Sequence, residues 1–117
     1  MTLEEEVREL AKFAKAASVK LAQATTEERN GALLAMAAAL RAQAPAIVEA
    51  NGEDMEAARA AGTTEALLDR LMLDEPRVFA MADALEEVAA LPDPLGVVSL
   101  ESTLYNGIEL RRVSVPL

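Results

Sequence analysis

The chain has 117 residues, with 20 acidic against 11 basic side chains and a net charge of −9, a size that fits one small domain. The acidity, the lack of any Lys/Arg block and an aromatic content of 3% exclude nucleic acid and disfavour an anionic membrane surface, since both need clustered cations. With neither Cys nor His, the chain can hold no disulfide, no thiolate or Ser-His-Asp chemistry and no His- or Cys-bound zinc.

Apolar or small residues at Leu3, Val7, Leu10, Ala14, Ala17 and Leu21 step by four and three, drawing one stripe along a first helix. Glu4, Glu5 and Glu6 fall in its first turn, where the helix dipole favours negative charge. A second helix is expected after Thr25, which has capping-box spacing to Glu28, with Leu33, Met36, Ala37 and Leu40 on its buried face. Pro45 reads as the first position of a third helix, where its missing N–H costs nothing. That helix would bury Ile47, Asn51, Met55 and Ala58, bend or break at Asn51-Gly52, and end at Gly62.

Thr63 then reads as the cap of a short helix carrying Leu67, Leu68 and Leu71. Asp74 caps a last one, with Val78, Met81, Leu85 and Val88 on one side and Pro92 and Pro94 beyond its end. The texture changes after that. Val97-Val98-Ser99-Leu100 is β-prone, Asn106-Gly107 is a turn signal, and Ile108, Leu110 and Arg112 alternate with Glu109, Arg111 and Val113. The expected fold class is mainly α, four to five helices with a C-terminal β ribbon. Residues 1–91 form the helical region, and residues 92–117 form the ribbon. Much of the 52% apolar content is Ala, so the core should be thin. No apolar run approaches the roughly 20 residues of a membrane span. The acidic start, Met1 to Glu6, lacks a signal peptide's basic opening. A cytoplasmic location is expected.

Candidate chemistry is sparse. The single glycines at 31, 52, 62, 96 and 107 make neither phosphate-binding pattern, and no calcium loop occurs. The carboxylate pairs Glu27-Glu28, Glu53-Asp54 and Glu86-Glu87 could serve acid–base chemistry only if one member were buried. Adjacent helical residues point in different directions, so a solvated role is the stronger reading. Lys15 and Ser18 have the spacing of a Ser-Lys dyad, on what is otherwise an ordinary amphipathic helix. Asp69-Arg70 reads as a surface ion pair beside Leu67, Leu68 and Leu71. No catalytic, cofactor-binding or metal-binding residue is assigned.

Three segments taken in order resemble one family. They are Ala11 to Ser18 with Leu21-Ala22; Ile47 to Arg59 running on to Leu67-Leu68-Asp69-Arg70-Leu71; and Leu91-Pro92-Asp93-Pro94-Leu95-Gly96 with Asn106 to Leu110 and Val113 to Leu117. Together they are similar to the N-terminal region of the γ-glutamyl phosphate reductases, of the aldehyde dehydrogenase superfamily, across essentially the whole chain. The resemblance implies an α/β parent that reduces L-glutamyl 5-phosphate with NADPH to glutamate 5-semialdehyde and phosphate, in proline biosynthesis. It also implies a catalytic Cys and a nucleotide-binding domain beyond Leu117. The partners expected are then the rest of the parent chain and, through the ribbon around Ile108 to Val115, a second copy. These residues alone should be inactive. The alternative is a free-standing helical interaction module with a groove lined by Leu67, Leu71, Leu85 and Val88.

Overall fold

The computed structural model describes residues 1–117 and contains four helices and one two-stranded ribbon. These are α1 (Leu3–Leu21), α2 (Thr26–Ala60), α3 (Glu65–Leu71), α4 (Glu75–Ala90), β1 (Val98–Thr103) and β2 (Glu109–Val113). The mainly helical class with a C-terminal ribbon is therefore observed. The chain divides into two compact units. One joins Met1–Arg29 to Pro92–Leu117; the other is Asn30–Leu91.

In the first unit, α1 begins with a capping box. The Thr2 hydroxyl accepts from the Glu5 amide, and the Glu5 carboxylate accepts from the Thr2 amide at 2.7 Å. These two bonds satisfy amides that a helix start leaves without partners. They also hold the Glu5 carboxyl below its usual range, first through the Thr2 amide and then through the hydroxyl. The stripe from Leu3 to Leu21 is present on α1, yet no residue of this helix is buried.

The ribbon is antiparallel, pairing Val98 with Val113, Leu100 with Arg112, Glu101 with Arg111, Ser102 with Leu110 and Thr103 with Glu109. A register shift between Val98 and Leu100 marks a bulge. The turn lies where the Asn-Gly signal places it. The Gly107 amide donates to the Leu104 carbonyl, the Ile108 amide donates to the Asn106 side chain, and Gly107 has φ +85°. A left-handed backbone of this kind favours Gly, which has no Cβ to clash. Arg111 meets Glu101 across the strands at 2.8 Å. Every residue of both strands is exposed.

The second unit corrects the helix count expected around Pro45. No third helix opens there; α2 runs unbroken for 35 residues, with Pro45 inside it and Asn51-Gly52 not interrupting it. An interior Pro deprives the Arg41 carbonyl of its intrahelical donor. The flanking sequence is rich in Ala, the strongest helix former, and the buried residues Ala37, Ala44, Asn51 and Met55 lie on both sides of the Pro. Helix propensity and packing together outweigh the one lost bond. α2 is also long and apolar enough, by length and composition, to cross a membrane. Small Ala residues supply much of that character. Arg41, Gln43 and Pro45 interrupt that stretch, so no unbroken apolar run of the length of a membrane span is present, as expected. The same helix buries Ala37, Ala44 and Asn51, and its Arg41 reaches Asp83 and Glu86 of α4.

The cap of α3 is Thr64 rather than Thr63, and its side chain makes no capping bond. Asp74 caps α4 as expected, accepting from the Arg77 amide at 2.9 Å. The core is thin. Ala37, Ala44, Met55, Leu68, Val78 and Ala82 are its buried apolar residues, and Val78 is the largest side chain that is fully buried. Of the apolar faces expected, Met36, Met81, Val88, Leu67 and Leu71 are exposed instead. The buried face of α4 runs through Val78 and Ala82.

Candidate functional site

None of the acid–base candidates converges into a site. Glu28 is spent on capping α2: its carboxylate accepts from the Thr25 amide at 2.9 Å, and its own amide donates to the Thr25 hydroxyl at 3.1 Å. Glu27, Glu53, Asp54 and Glu87 are exposed, and Glu86 pairs with Arg41. The Ser18 hydroxyl donates to the Lys15 backbone carbonyl at 2.7 Å, a bond within the helix rather than a dyad with the amine. Asp69 pairs with Arg77 at 2.8 Å, not with its neighbour Arg70. Arg77 also donates to the Asp69 and Met72 carbonyls, tying the end of α3 to the start of α4.

Three polar constellations went unnoticed in the sequence. In the first unit, Asp93 gathers the start of α2 and the approach to the ribbon. Its carboxylate accepts from the Thr26 hydroxyl, from Arg29 at 2.5 Å and from the Leu95 amide at 2.9 Å. The Thr26 hydroxyl, then the Leu95 amide and the Arg29 charge, hold this carboxyl below its ordinary range. Gly96, at φ +75°, donates to the Ser114 carbonyl at 2.9 Å. The Asp93-Pro94-Leu95-Gly96 motif is therefore a corner that joins α2 to the ribbon. A cleft of about 480 Å³ opens beside it, with Thr26, Arg29, Asp93 and Ser114 in its wall.

In the second unit, Asn51 is buried and acts as a clamp. Its Nδ2 donates to the Leu71 carbonyl at 2.9 Å, and its Oδ1 accepts from the Leu73 amide at 2.8 Å. One carboxamide thus satisfies both backbone groups of the segment between α3 and α4. Arg41 forms the third constellation. It donates to Asp83 at 2.6 Å and Glu86 at 3.1 Å and lies 5.5 Å from the centre of the Phe79 ring. These carboxylates push its guanidinium further towards the charged form. Beside it, an apolar groove of about 550 Å³ lies between α2 and α4, lined by Met36, Leu40, Ile47, Met81 and Leu85. Of the groove expected at Leu67, Leu71, Leu85 and Val88, only Leu85 takes part.

No cluster of side chains suits a metal ion. The cleft at the Asp93 corner does not suit a dinucleotide either. The polar atoms at the Asp93 corner are already bonded to one another, and the Asp93 carboxylate would repel a phosphate in that cleft.

Both units are thus frameworks held by polar clamps, and comparison with known proteins identifies the enzyme class in which this framework occurs. No protein-family model matches the chain. It is 46% identical over all 117 residues to "Gamma-glutamyl phosphate reductase" of Geotalea daltonii, spanning 28% of that protein. It is 51% identical over 109 residues to the protein of the same name from Rhodospirillum rubrum, spanning 26% of it. The crystal structure of γ-glutamyl phosphate reductase from Thermotoga maritima superposes with a TM-score of 0.86 at 39% identity, over 94% of this chain and 27% of that one. The Saccharomyces cerevisiae enzyme gives 0.84 at 34% identity, over 92% and 27%. In sequence and in fold the chain is therefore similar to one segment of these reductases. It is homologous along its whole length to part of the γ-glutamyl phosphate reductases and spans little more than a quarter of the relatives it matches.

Proposed function

We propose that residues 1–117 are the N-terminal part of an NADPH-dependent reductase that converts L-glutamyl 5-phosphate to L-glutamate 5-semialdehyde and phosphate in proline biosynthesis, in the cytoplasm. The observation that carries this reading is the 46% identity sustained over the whole chain, joined to a TM-score of 0.86 against a solved reductase. Reducing an acyl phosphate needs a nucleophile and a hydride donor. This segment has no Cys and no phosphate-binding glycine pattern, so both must come from polypeptide outside it. Its own residues serve as framework. Asp93, Thr26 and Arg29 fix the approach to the ribbon, and Asn51 and Arg41 fix the α2–α4 layer. The ribbon from Val98 to Val113, exposed on both faces, is proposed to pair with a second copy of the parent.

The test measures phosphate-dependent reduction of NADP⁺ by glutamate 5-semialdehyde, the reaction run in reverse. Residues 1–117 alone are expected to give no turnover, and the parent polypeptide that contains them is expected to be active. Turnover by the isolated segment, or an inactive parent, would overturn the reading.

A further inference from the structure

The Asp93 carboxylate divides its two oxygens between two parts of the first unit. Oδ2 accepts from the Thr26 hydroxyl and from Arg29, at the start of α2, while Oδ1 accepts from the Leu95 amide, on the approach to β1. Arg29 extends the joint on the helical side, since its Nη1 donates to the Ala24 carbonyl at 2.8 Å, between α1 and α2. On the ribbon side the Gly96 amide donates to the Ser114 carbonyl and the Ser114 amide to the Val97 carbonyl, which closes the base of the ribbon. Pro92 and Pro94 flank Asp93 and stiffen the linking backbone, each with a fixed φ and no amide hydrogen. One side chain thus fixes where the base of the ribbon stands relative to the start of α2. All of these bonds lie within residues 1–117, so they hold whatever surfaces the rest of the parent covers.

We infer, on the reading that the ribbon pairs two copies of the parent, that Asp93 is the positioning residue of that pairing: it presets the direction in which the ribbon leaves the start of α2. An arm already held in its pairing direction loses little orientational freedom on association, whereas a loosened arm must first be ordered. The observed dissociation constant rises as the inverse of the fraction of chains in the competent orientation. Both copies of a symmetric pair carry the joint, so that fraction enters twice. A fall to about one third in each copy weakens the pair about tenfold. The joint also calls for a carboxylate in particular. It offers acceptors on both sides and no donor, and its partners, the Thr26 hydroxyl, Arg29 and the Leu95 amide, all donate to it. A carboxamide of the same size serves only one side, because its NH2 group must face either Arg29 or the Leu95 amide. Asn at this position therefore opens the joint without changing its volume.

The test is sedimentation equilibrium on the parent polypeptide over a concentration series, with circular dichroism to check that each variant is folded. Asp93→Asn should raise the dissociation constant of the pair about tenfold or more. Thr26→Val removes one bond and keeps the shape of its side chain; it is the milder variant and should raise the constant about threefold. Combined, the two shifts should fall short of additive, because both open the same joint. Asn51→Ala is the control for a loss of stability elsewhere: it weakens the second unit and should leave the constant within about twofold of the native value. Leu110→Asp, in the ribbon itself, tests the pairing separately and should weaken it. A native parent that stays monomeric, or a pair indifferent to Leu110→Asp, overturns the ribbon reading and the positioning role with it. A pair that weakens with Leu110→Asp but with neither Asp93→Asn nor Thr26→Val overturns the positioning role alone. So does a pair that weakens as much with Asn51→Ala as with Asp93→Asn.

Discussion

Asn51→Ala isolates the largest single polar contribution to the second unit. The native carboxamide is 7% exposed and spans from α2 to both backbone groups of the segment that links α3 to α4. Removing it deletes two hydrogen bonds, each worth about 1 kcal/mol net. It also leaves the Leu71 carbonyl and the Leu73 amide without partners, at about 1–3 kcal/mol for each group that stays out of water. Both groups are part-buried, so the lower part of that range applies and the expected loss is roughly 2–4 kcal/mol. For a chain of this size such a loss lowers Tm by about 10 °C or more. Urea unfolding followed by circular dichroism measures it, with Glu49→Ala, an exposed site on the same helix, as the control. Asn51→Asp sharpens the reading. The carboxylate can still accept from Leu73 but opposes the Leu71 carbonyl with an oxygen. The deficit relative to the native chain should therefore be larger at neutral pH and shrink in acid, where a protonated carboxyl can donate. A loss below about 0.5 kcal/mol for Asn51→Ala, which is the scatter of ordinary surface changes, would refute the clamp.

Three further outcomes follow from named contacts. The Asp93 carboxyl is held below its ordinary value in the folded chain, so its contribution to stability is complete above the unfolded value of about 3.9 and is lost as pH falls through the lowered folded value. Asp93→Asn should lower stability at neutral pH and flatten that acid limb in a pH series of urea midpoints; an unchanged limb would count against it. Pro45→Ala restores a donor to the Arg41 carbonyl inside α2 and should raise stability by about 1–2 kcal/mol, after allowing for the looser unfolded chain; destabilisation would show that the proline is accommodated without cost. Gly107→Ala forces a Cβ into φ +85° and should cost about 1 kcal/mol locally, read as faster amide exchange at Leu104 and Ser102 with α2 unaffected.

Local signals in the sequence were read well where the chemistry is local. Asp74, the Thr25–Glu28 box and the Asn106-Gly107 turn each act through side chains a few residues apart, and all three are present. Pro45 misled because the rule for helix starts weighs one missing amide. The structure weighs that amide against an Ala-rich helix packed on both sides of it. The buried faces were harder. Periodicity found Ala37, Met55, Leu68 and Val78 but also selected the large exposed residues Met36, Met81 and Val88, while the buried Ala44 and Ala82 were not expected. Alternation alone cannot tell a large residue facing a groove from a small one facing a helix. Asn51 did carry a signal: a polar amide on a stripe with Ile47, Met55 and Ala58 needs partners. Those partners, the backbone of Leu71 and Leu73, lie some twenty residues away, which no spacing rule reaches. The Asp93 corner, joining Thr26 and Arg29 across more than sixty residues, was hidden for the same reason.

The thin core and the polar clamps are two sides of one design. A seam of Ala37, Ala44 and Ala82 around Val78 removes little apolar area from water, and hydrophobic stabilisation scales with that area. Small residues also specify position poorly, because neighbouring Ala positions offer nearly equivalent seams. Asn51 and Arg41 supply what the seam lacks, and Asp93 does the same service within the first unit. Each bonds to two or more groups of a distant segment, so a shift by one helical turn would leave buried or partly buried polar groups unpaired. Meanwhile the larger side chains, Leu3 and Leu10 on α1, Met36 and Met81 beside the groove, and Leu100 and Leu110 on the ribbon, remain exposed. Hydrophobic free energy that is not realised within the chain is available for association. A framework of this kind fixes its shape with polar contacts and keeps its apolar surface for docking.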